Sequence, residues 1–484
     1  MKEKNAKILS LYKNMSAPSK ASIWFIICNV LQKAIALLAT PIFTRLLTTE
    51  QYGVYSVYQS WYAIITIFAT LNLYAGVYNN GMTKYPDDRP KLTSSLQSLS
   101  SVVTLCLFVV YLFNMDFWNN LFKLSTVFVL AMFVEVLFVP AFMFWSVGQR
   151  YDYKYKGIVV ATLFMAVGSP IIGVLAVLST DYKAEAYVLS FVFVQVIVGL
   201  FFYIYNLAKG KKVFDKKYWK FALVFSLPLI PHYLSMTLLN QADRIMISRY
   251  VGDSEAAIYS IAYTIATMMG FVTNAINNSF IPYTYKSIKE ANYDGIRKNS
   301  NFLLILVGAL CVIAMAFGPE LVKIFATEEY YDAIWVMPPV AASVYFMFLY
   351  PLFANVEFYF EKTKFVMIAS CVGALLNIVL NAIFIPIFGY YAAGYTTLVC
   401  YIVFSFAHYA FYKIIIKKEL SNKNKFYDMG LIIGISSVVL LAMVGMTLTY
   451  KHIIIRYMVV LGLLLIGIFK RKRIYEKIVE MKNR

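Results

Sequence analysis

Long apolar runs follow one another along this chain, each near the roughly 20 residues a helix needs to cross a bilayer's hydrocarbon core. They fall near 21–45, 54–79, 96–115, 121–147, 157–179, 185–208, 221–247, 257–282, 301–319, 331–356, 363–386, 389–412, 428–450 and 452–470. The second, fourth, eighth and tenth are long or interrupted by polar residues, which leaves their edges soft. The pattern predicts an all-α integral membrane protein of about fourteen spanning helices. No polar stretch of tens of residues separates the runs, so no soluble domain is expected.

Composition agrees. Of 484 residues, 61% are hydrophobic and 14% charged, where a soluble protein carries roughly 25% charged residues. The net charge of +19 would raise the question of nucleic acid in a soluble domain; here it follows from topology. The N-tail, alternate loops and C-tail hold 5, 3, 3, 6, 4, 2, 5 and 7 Lys plus Arg, 35 of the 44 in the chain. Basic residues accumulate on the cytoplasmic side, so both termini are expected there, with an even number of spans and no nucleic-acid partner. The basic inner loops, such as Lys209–Lys220, read as topological determinants facing anionic membrane lipid. The first apolar run carries Asn29, Gln32 and Lys33 and reads as a retained span, not a cleaved signal.

Several chemistries find no support. The five cysteines sit inside apolar runs, none within four residues of another, and read as small buried hydrophobes. The three histidines, His232, His408 and His452, are far apart, without carboxylate spacing for zinc. No glycine-rich loop ending in Lys-Ser/Thr is present, so ATP hydrolysis is not expected. No cofactor and no metal is predicted, and the chain does not read as an enzyme.

An internal repeat divides the chain. Arg45-Leu-Leu-Thr-Thr-Glu-Gln-Tyr-Gly-Val-Tyr55-Ser56-Val57 aligns without a gap on Arg249-Tyr-Val-Gly-Asp-Ser-Glu-Ala-Ala-Ile-Tyr259-Ser260-Ile261, 204 residues later. An even number of spans lies between the copies, which predicts two parallel six-helix lobes around a central cavity. The expected boundaries are 1–208 (spans 1–6), 209–412 (spans 7–12) and 413–484 (two further spans and a basic tail).

Three segments carry a family likeness. They are Thr40-Pro41…Arg45…Tyr52-Gly53-Val-Tyr55, Leu227-Pro228…Pro231…Asp243-Arg244…Gly252…Tyr259-Ser260, and Lys362-Thr363…Asn377…Asn381…Ile385-Pro386…Gly389…Gly394-Tyr-Thr396-Thr397. In order and spacing the chain resembles the polysaccharide flippases that export O-antigen and capsule repeat units. That family shares a superfamily with the multidrug and toxic compound extruders and the lipid II flippase. Ala257 stands where the family usually has glycine. The resemblance implies a fourteen-helix, two-lobed transporter in the bacterial cytoplasmic membrane. It also implies alternating access for an undecaprenyl-pyrophosphate-linked oligosaccharide, moved to the outer leaflet for cell-surface polysaccharide synthesis alongside other assembly proteins. A multidrug or cation antiporter of the same superfamily and a membrane-embedded polysaccharide polymerase remain alternatives. The first would want an acidic cavity and the second a large outer loop, and every outer loop here is short.

Ionisable residues inside spans are functional candidates by default. In the first span Asn29, Lys33, Ala36, Thr40 and Thr44 share a face, with Arg45 at its end. Lys33, Asn29, Thr40 and Arg45 are therefore candidate contacts for phosphate and sugar, with a buried Lys33–Glu135 pair as the structural alternative. The seventh span offers Tyr233, Asn240 and Arg244, the guanidinium suiting pyrophosphate; a buried role for an Asp243–Arg244 pair stays open beside it. The eighth span adds Asn274. Glu135 and Asp243 are candidate sites for proton or sodium coupling. The family likeness makes Asn377 and Asn381 a packing signature.

Overall fold

The computed structural model describes residues 15–420, 426–472 and 476. Among them every regular element is helical, as the run pattern requires: in hydrocarbon each backbone N–H and C=O must be satisfied within its own segment. The chain forms two compact units, residues 1–237 and 238–484.

The first unit holds α1 (Ala17–Leu46), α2 (Thr49–Thr70), α3 (Gly76–Lys84), α4 (Arg89–Phe113), α5 (Met115–Phe122), α6 (Thr126–Tyr151), α7 (Lys156–Leu178), α8 (Lys183–Gly210) and α9 (Lys216–Ser226). Then α10 (Ile230–Tyr250) carries the chain into the second unit. There follow α11 (Asp253–Thr267), α12 (Met269–Lys289), α13 (Tyr293–Ala316), α14 (Gly318–Phe325), α15 (Met337–Tyr359), α16 (Thr363–Phe388), α17 (Tyr391–Glu419), α18 (Met429–Thr449) and α19 (Ile453–Phe469).

Among the described residues, twelve helical segments are long and apolar enough to cross a membrane, with α9–α10 and α11–α12 each counted as one. Two of the fourteen expected spans fall outside that set. The 17-residue α19 is short, and α2 spends much of its surface on Tyr, Ser, Thr and Gln. Where the expected second span was continuous over 54–79, the helix stops at Thr70. Leu71 and Asn72 adopt left-handed backbone there, and α3 restarts at Gly76. The expected seventh span breaks into α9, a 3-10 turn at Leu227–Leu229 and α10; Pro228 and Pro231 lack the amide protons a continuous helix would use. Tyr218 and Ala222 of α9 bury against Tyr78, Leu92 and Phe144, and Trp219 Nε1 donates to the Ser95 carbonyl at 3.0 Å.

The repeat read from the sequence has a structural counterpart. The break from Leu46 to Thr49 between α1 and α2 recurs, 204 residues on, between Tyr250 and Asp253. The first copy is fixed by a capping box, in which Thr48 takes the Gln51 amide and Gln51 returns to Thr48.

Within each unit the helices pack through small and hydroxyl residues, as spans must when lipid is as apolar as their own side chains. In α4, Ser94, Ser98, Ser101 and Thr104 are buried and bond back to carbonyls one turn away. Asn206 of α8 donates to Gln97 Oε1 at 2.8 Å and to the Ala141 carbonyl at 3.0 Å, tying α4, α6 and α8 together. In the second unit α15 is nearly all interior.

The last helix is clamped on by Arg456. Its guanidinium grips Glu320 of α14 at 2.7 and 2.8 Å and reaches the Ala316 carbonyl at 2.6 Å. Partial burial pushes the Glu320 carboxyl up, but the Arg456 hydrogen bonds and charge outweigh it and hold the group below its ordinary value of 4.5. A lowered carboxylate stabilises the fold above its unfolded value, and the stabilisation fades as pH falls through the folded one. Thermal melts in nanodiscs are therefore expected to show Glu320→Gln losing about 1–2 kcal/mol at neutral pH, discounted for the acid's partial exposure. The gap to wild type should close below about pH 4. Equal melts at neutral pH would show the clamp contributes nothing.

Candidate functional site

On α1 the stripe found in the sequence grades from surface to interior. Asn29 and Lys33 are exposed, Thr40 is half-buried with its hydroxyl donating to the Ala36 carbonyl at 3.2 Å, and Thr44 is buried. Arg45 is exposed and donates to the Pro41 carbonyl at 2.6 Å. Lys33 thus stands among exposed Ile26, Ile27, Val30, Leu31 and Leu38, a cation on an apolar helix face. Glu135 is found elsewhere in the first unit: buried on α6, it accepts from the Tyr58 hydroxyl of α2 at 2.7 Å. A phenol thus takes the place the sequence held open for Lys33. Tyr233 is half-buried, near Gly76.

In the second unit Asp243 and Arg244, adjacent on α10, diverge. Arg244 lies over the Tyr263 ring at 4.5 Å, donates to Ser260 Oγ at 3.1 Å and reaches the Asn240 carbonyl at 2.7 Å. Asn240 Oδ1 in turn takes the Tyr263 hydroxyl at 3.0 Å. Asn240, Arg244 and Tyr263 therefore form one polar group, half-buried at the arginine.

Asp243 is fully buried and faces a different set. Asn381 Nδ2 donates to it at 2.6 Å, Asn377 Nδ2 at 3.3 Å and Thr397 Oγ1 at 2.8 Å, and Tyr259 adds a short phenolic bond. Thr396 donates to Asn381 Oδ1 in turn. Helices α10, α11, α16 and α17 thus converge on one carboxylate. The four donors satisfy the buried carboxylate. Sequence reasoning singled out Asp243, but read Asn377 and Asn381 as packing alone; their one-turn spacing aims both amides at it.

Asn274 lines a cavity of about 280 Å³ inside the second unit, with Asn277, Asn355, Tyr285, Tyr350 and Thr273. Asn355 donates to Asn277 at 3.1 Å. A second cavity, about 200 Å³, lies in the first unit among Arg89, Asp152, Lys209, Thr93, Asn206 and Tyr78, with Arg89 paired to Asp152 at 3.3 Å. Its lining comes chiefly from α3, α4, α6 and α8, too far apart in sequence for spacing to reveal.

The helical architecture and its buried polar clusters define a multi-pass integral membrane transporter fold. The structure superposes on the lipid II flippase MurJ in its inward closed conformation with a TM-score of 0.69, at 15% identity, over 93% of this chain and 100% of that one. A multidrug resistance MATE family transporter in the inward-facing conformation gives 0.59, at 14% identity, over 83% and 99%. A family model described as polysaccharide biosynthesis protein matches residues 19–288, more than half of the chain, and the chain belongs to that family. A MatE model matches residues 228–383. Among curated proteins, Lsg locus putative protein 1 of Haemophilus influenzae is 24% identical over 210 residues, 40% of this chain and 50% of that protein. An uncharacterized membrane protein of Methanocaldococcus jannaschii is 20% identical over 266 residues, 54% and 52% of the two chains. The chain aligns with about half the length of these curated relatives.

Proposed function

We propose that this protein is a flippase for an undecaprenyl-pyrophosphate-linked oligosaccharide, moving it from the cytoplasmic to the outer leaflet of the bacterial inner membrane. Two lobes, 1–208 and 209–412, would alternate access, with 413–484 appended and both termini in the cytoplasm. The observation that carries the reading is the match of residues 19–288 to the polysaccharide biosynthesis family, in a chain whose first apolar spanning helix carries an exposed lysine, Lys33. Charged residues within spans mark substrate paths, and a lysine there suits an anionic lipid pyrophosphate. Within the second unit Arg244 offers planar multidentate donation suited to phosphate, and the amide-lined cavity at Asn274 offers hydrogen bonds and ring faces to sugar. Asp243 is the favoured site for a coupling proton or sodium ion, with Glu135 the second candidate.

The test is reconstitution into liposomes carrying a radiolabelled undecaprenyl-pyrophosphate oligosaccharide, following its exposure on the far leaflet. Protein-dependent movement is expected. Lys33→Ala and Arg244→Ala should each slow it about tenfold or more, the effect of losing a charged hydrogen bond of about 1.5–3 kcal/mol. Movement indifferent to both changes would sink the residue assignment. Efflux of cationic dyes without lipid movement would favour the drug-extruder reading, for which the MatE match over 228–383 speaks.

A further inference from the structure

One buried pair in the second unit has no part in the function proposed above. Glu357, two residues before the end of α15, and His408 of α17 are both completely buried, with Oε1 and Nδ1 2.7 Å apart. Each also carries a buried atom without a hydrogen-bond partner, Glu357 Oε2 and His408 Nε2. A pair selected only to join two helices would leave no such atoms, since each costs about 1–3 kcal/mol. The Tyr350 ring stacks on His408 at 5.4 Å, and Phe404 meets the imidazole edge-on at 4.6 Å. Tyr350 also lines the 280 Å³ amide cavity. The imidazole thus lies behind a residue of the cavity wall.

We propose that Glu357 and His408 form a proton-binding site whose occupancy is felt in the amide-lined cavity through Tyr350. With Glu357 ionised, His408 donates from Nδ1 to Oε1 and keeps a bare lone pair on Nε2; the pair then carries one negative charge. A proton added to that lone pair forms an N–H bond and leaves an imidazolium–carboxylate pair with no net charge. A net charge in an apolar interior is costly and a neutral pair much less so, so the closed packing holds the proton and access to water releases it. The imidazolium attracts the face of Tyr350, a contact worth about 1–2 kcal/mol when desolvated, and that attraction goes with the proton. Other uncharged titratable groups on the surrounding helices are phenols and thiols: Tyr345 on α15, Tyr401, Tyr412 and Cys400 on α17, Tyr263 on α11, Tyr285 on α12, Tyr427 before α18, Cys311 on α13 and Cys371 on α16. Several charged groups on or beside these elements pair or stack among themselves. Lys362 meets Glu419 at 3.0 Å and Arg297 meets Asp294 at 2.7 Å, Lys286 and Glu290 lie 4.0 Å apart, and Lys413 lies over Tyr409. The proton site stands on its own geometry; only the sugar meant for the cavity rests on the flippase reading.

The chain has three histidines, so imidazole ¹⁵N labelling of the full protein in nanodiscs gives at most six side-chain signals, an Nδ1 and an Nε2 for each ring. His232 is half-buried and His452 exposed, so His408 is the signal most protected from solvent exchange, an assignment that needs no variant. Titrated from about pH 9 to 5, His408 is expected to gain a proton on Nε2. Linkage is reciprocal, so Tyr350→Leu should lower that proton affinity about tenfold. A His408 that keeps one protonation state throughout overturns the site. A titration that Tyr350→Leu leaves unmoved overturns the link to the cavity. No substrate and no flipping enter this readout, so its failure and that of the flippase reading are separate results.

Discussion

Asp243→Ala is expected to give a protein that barely accumulates in the membrane, whereas Asp243→Asn accumulates but loses its response to the cation proposed to couple there. The carboxylate accepts from Asn377, Asn381, Thr397 and Tyr259, which come from three helices besides its own. Removing it strands four buried donors at about 1–3 kcal/mol each. Neighbouring effects do not add fully, yet even half the sum, about 2–6 kcal/mol, is a large fraction of the 5–15 kcal/mol net stability of a typical domain. An asparagine keeps the shape and one acceptor oxygen, and Asn377 and Asn381 can turn their carbonyls toward its amide. It removes the charge and exchanges one acceptor oxygen for a donor. The check is the thermal midpoint in nanodiscs with sodium, with potassium and across pH. Wild type should show a shift with one of these and Asp243→Asn none. If both respond alike, Asp243 is a structural hub and coupling resides elsewhere, with Glu135 next in line.

This site shows where sequence reading succeeds and where it stops. Asp243 was legible because a carboxylate in an apolar run carries a cost that demands an account. Its partners were not, since asparagine, threonine and tyrosine within spans look alike whether they bind each other, a neighbour helix or a ligand. Only the convergence of α10, α11, α16 and α17 sorts them. The separation of Arg244 from Asp243 was equally hidden: adjacent helix positions point about 100° apart, and which neighbour waits at each bearing is a tertiary fact. The helical membrane class was legible nearly throughout, because periodic burial in lipid leaves long apolar runs. The repeat was legible too, down to the breaks at Leu46–Thr49 and Tyr250–Asp253. The count of spans was the weaker part, since α2 carries too many Tyr, Ser, Thr and Gln residues to be apolar enough for a span by composition. Glu357 escaped notice because it lies at the end of a span, where a carboxylate seems to belong to the loop.

Gly199→Leu is expected to be among the most damaging single changes in the first unit, worse than any loss of charge there. A Cβ at this position of α8 would sit 2.7 Å from the carbonyl carbon and oxygen of Phe138 and 2.9 Å from the amide nitrogen of Val139. These are backbone atoms of α6, and no rotamer can move them aside. Even alanine forces the two helices apart, at a typical overpacking cost of about 1–3 kcal/mol; leucine adds three carbons to the same clash. The separation would spread, because Asn206, two turns further along α8, holds the Ala141 carbonyl of α6 and Gln97 of α4. Gly168 is the control: a Cβ there meets only Val194 at 3.5 Å, ordinary contact, so Gly168→Ala should be silent. The measurement is the fraction of monodisperse protein recovered after detergent extraction, with the thermal midpoint of whatever survives. The expected order is Gly168→Ala equal to wild type, Gly199→Ala lowered and Gly199→Leu near zero. Wild-type recovery of Gly199→Leu would mean that α6 and α8 do not approach through this glycine.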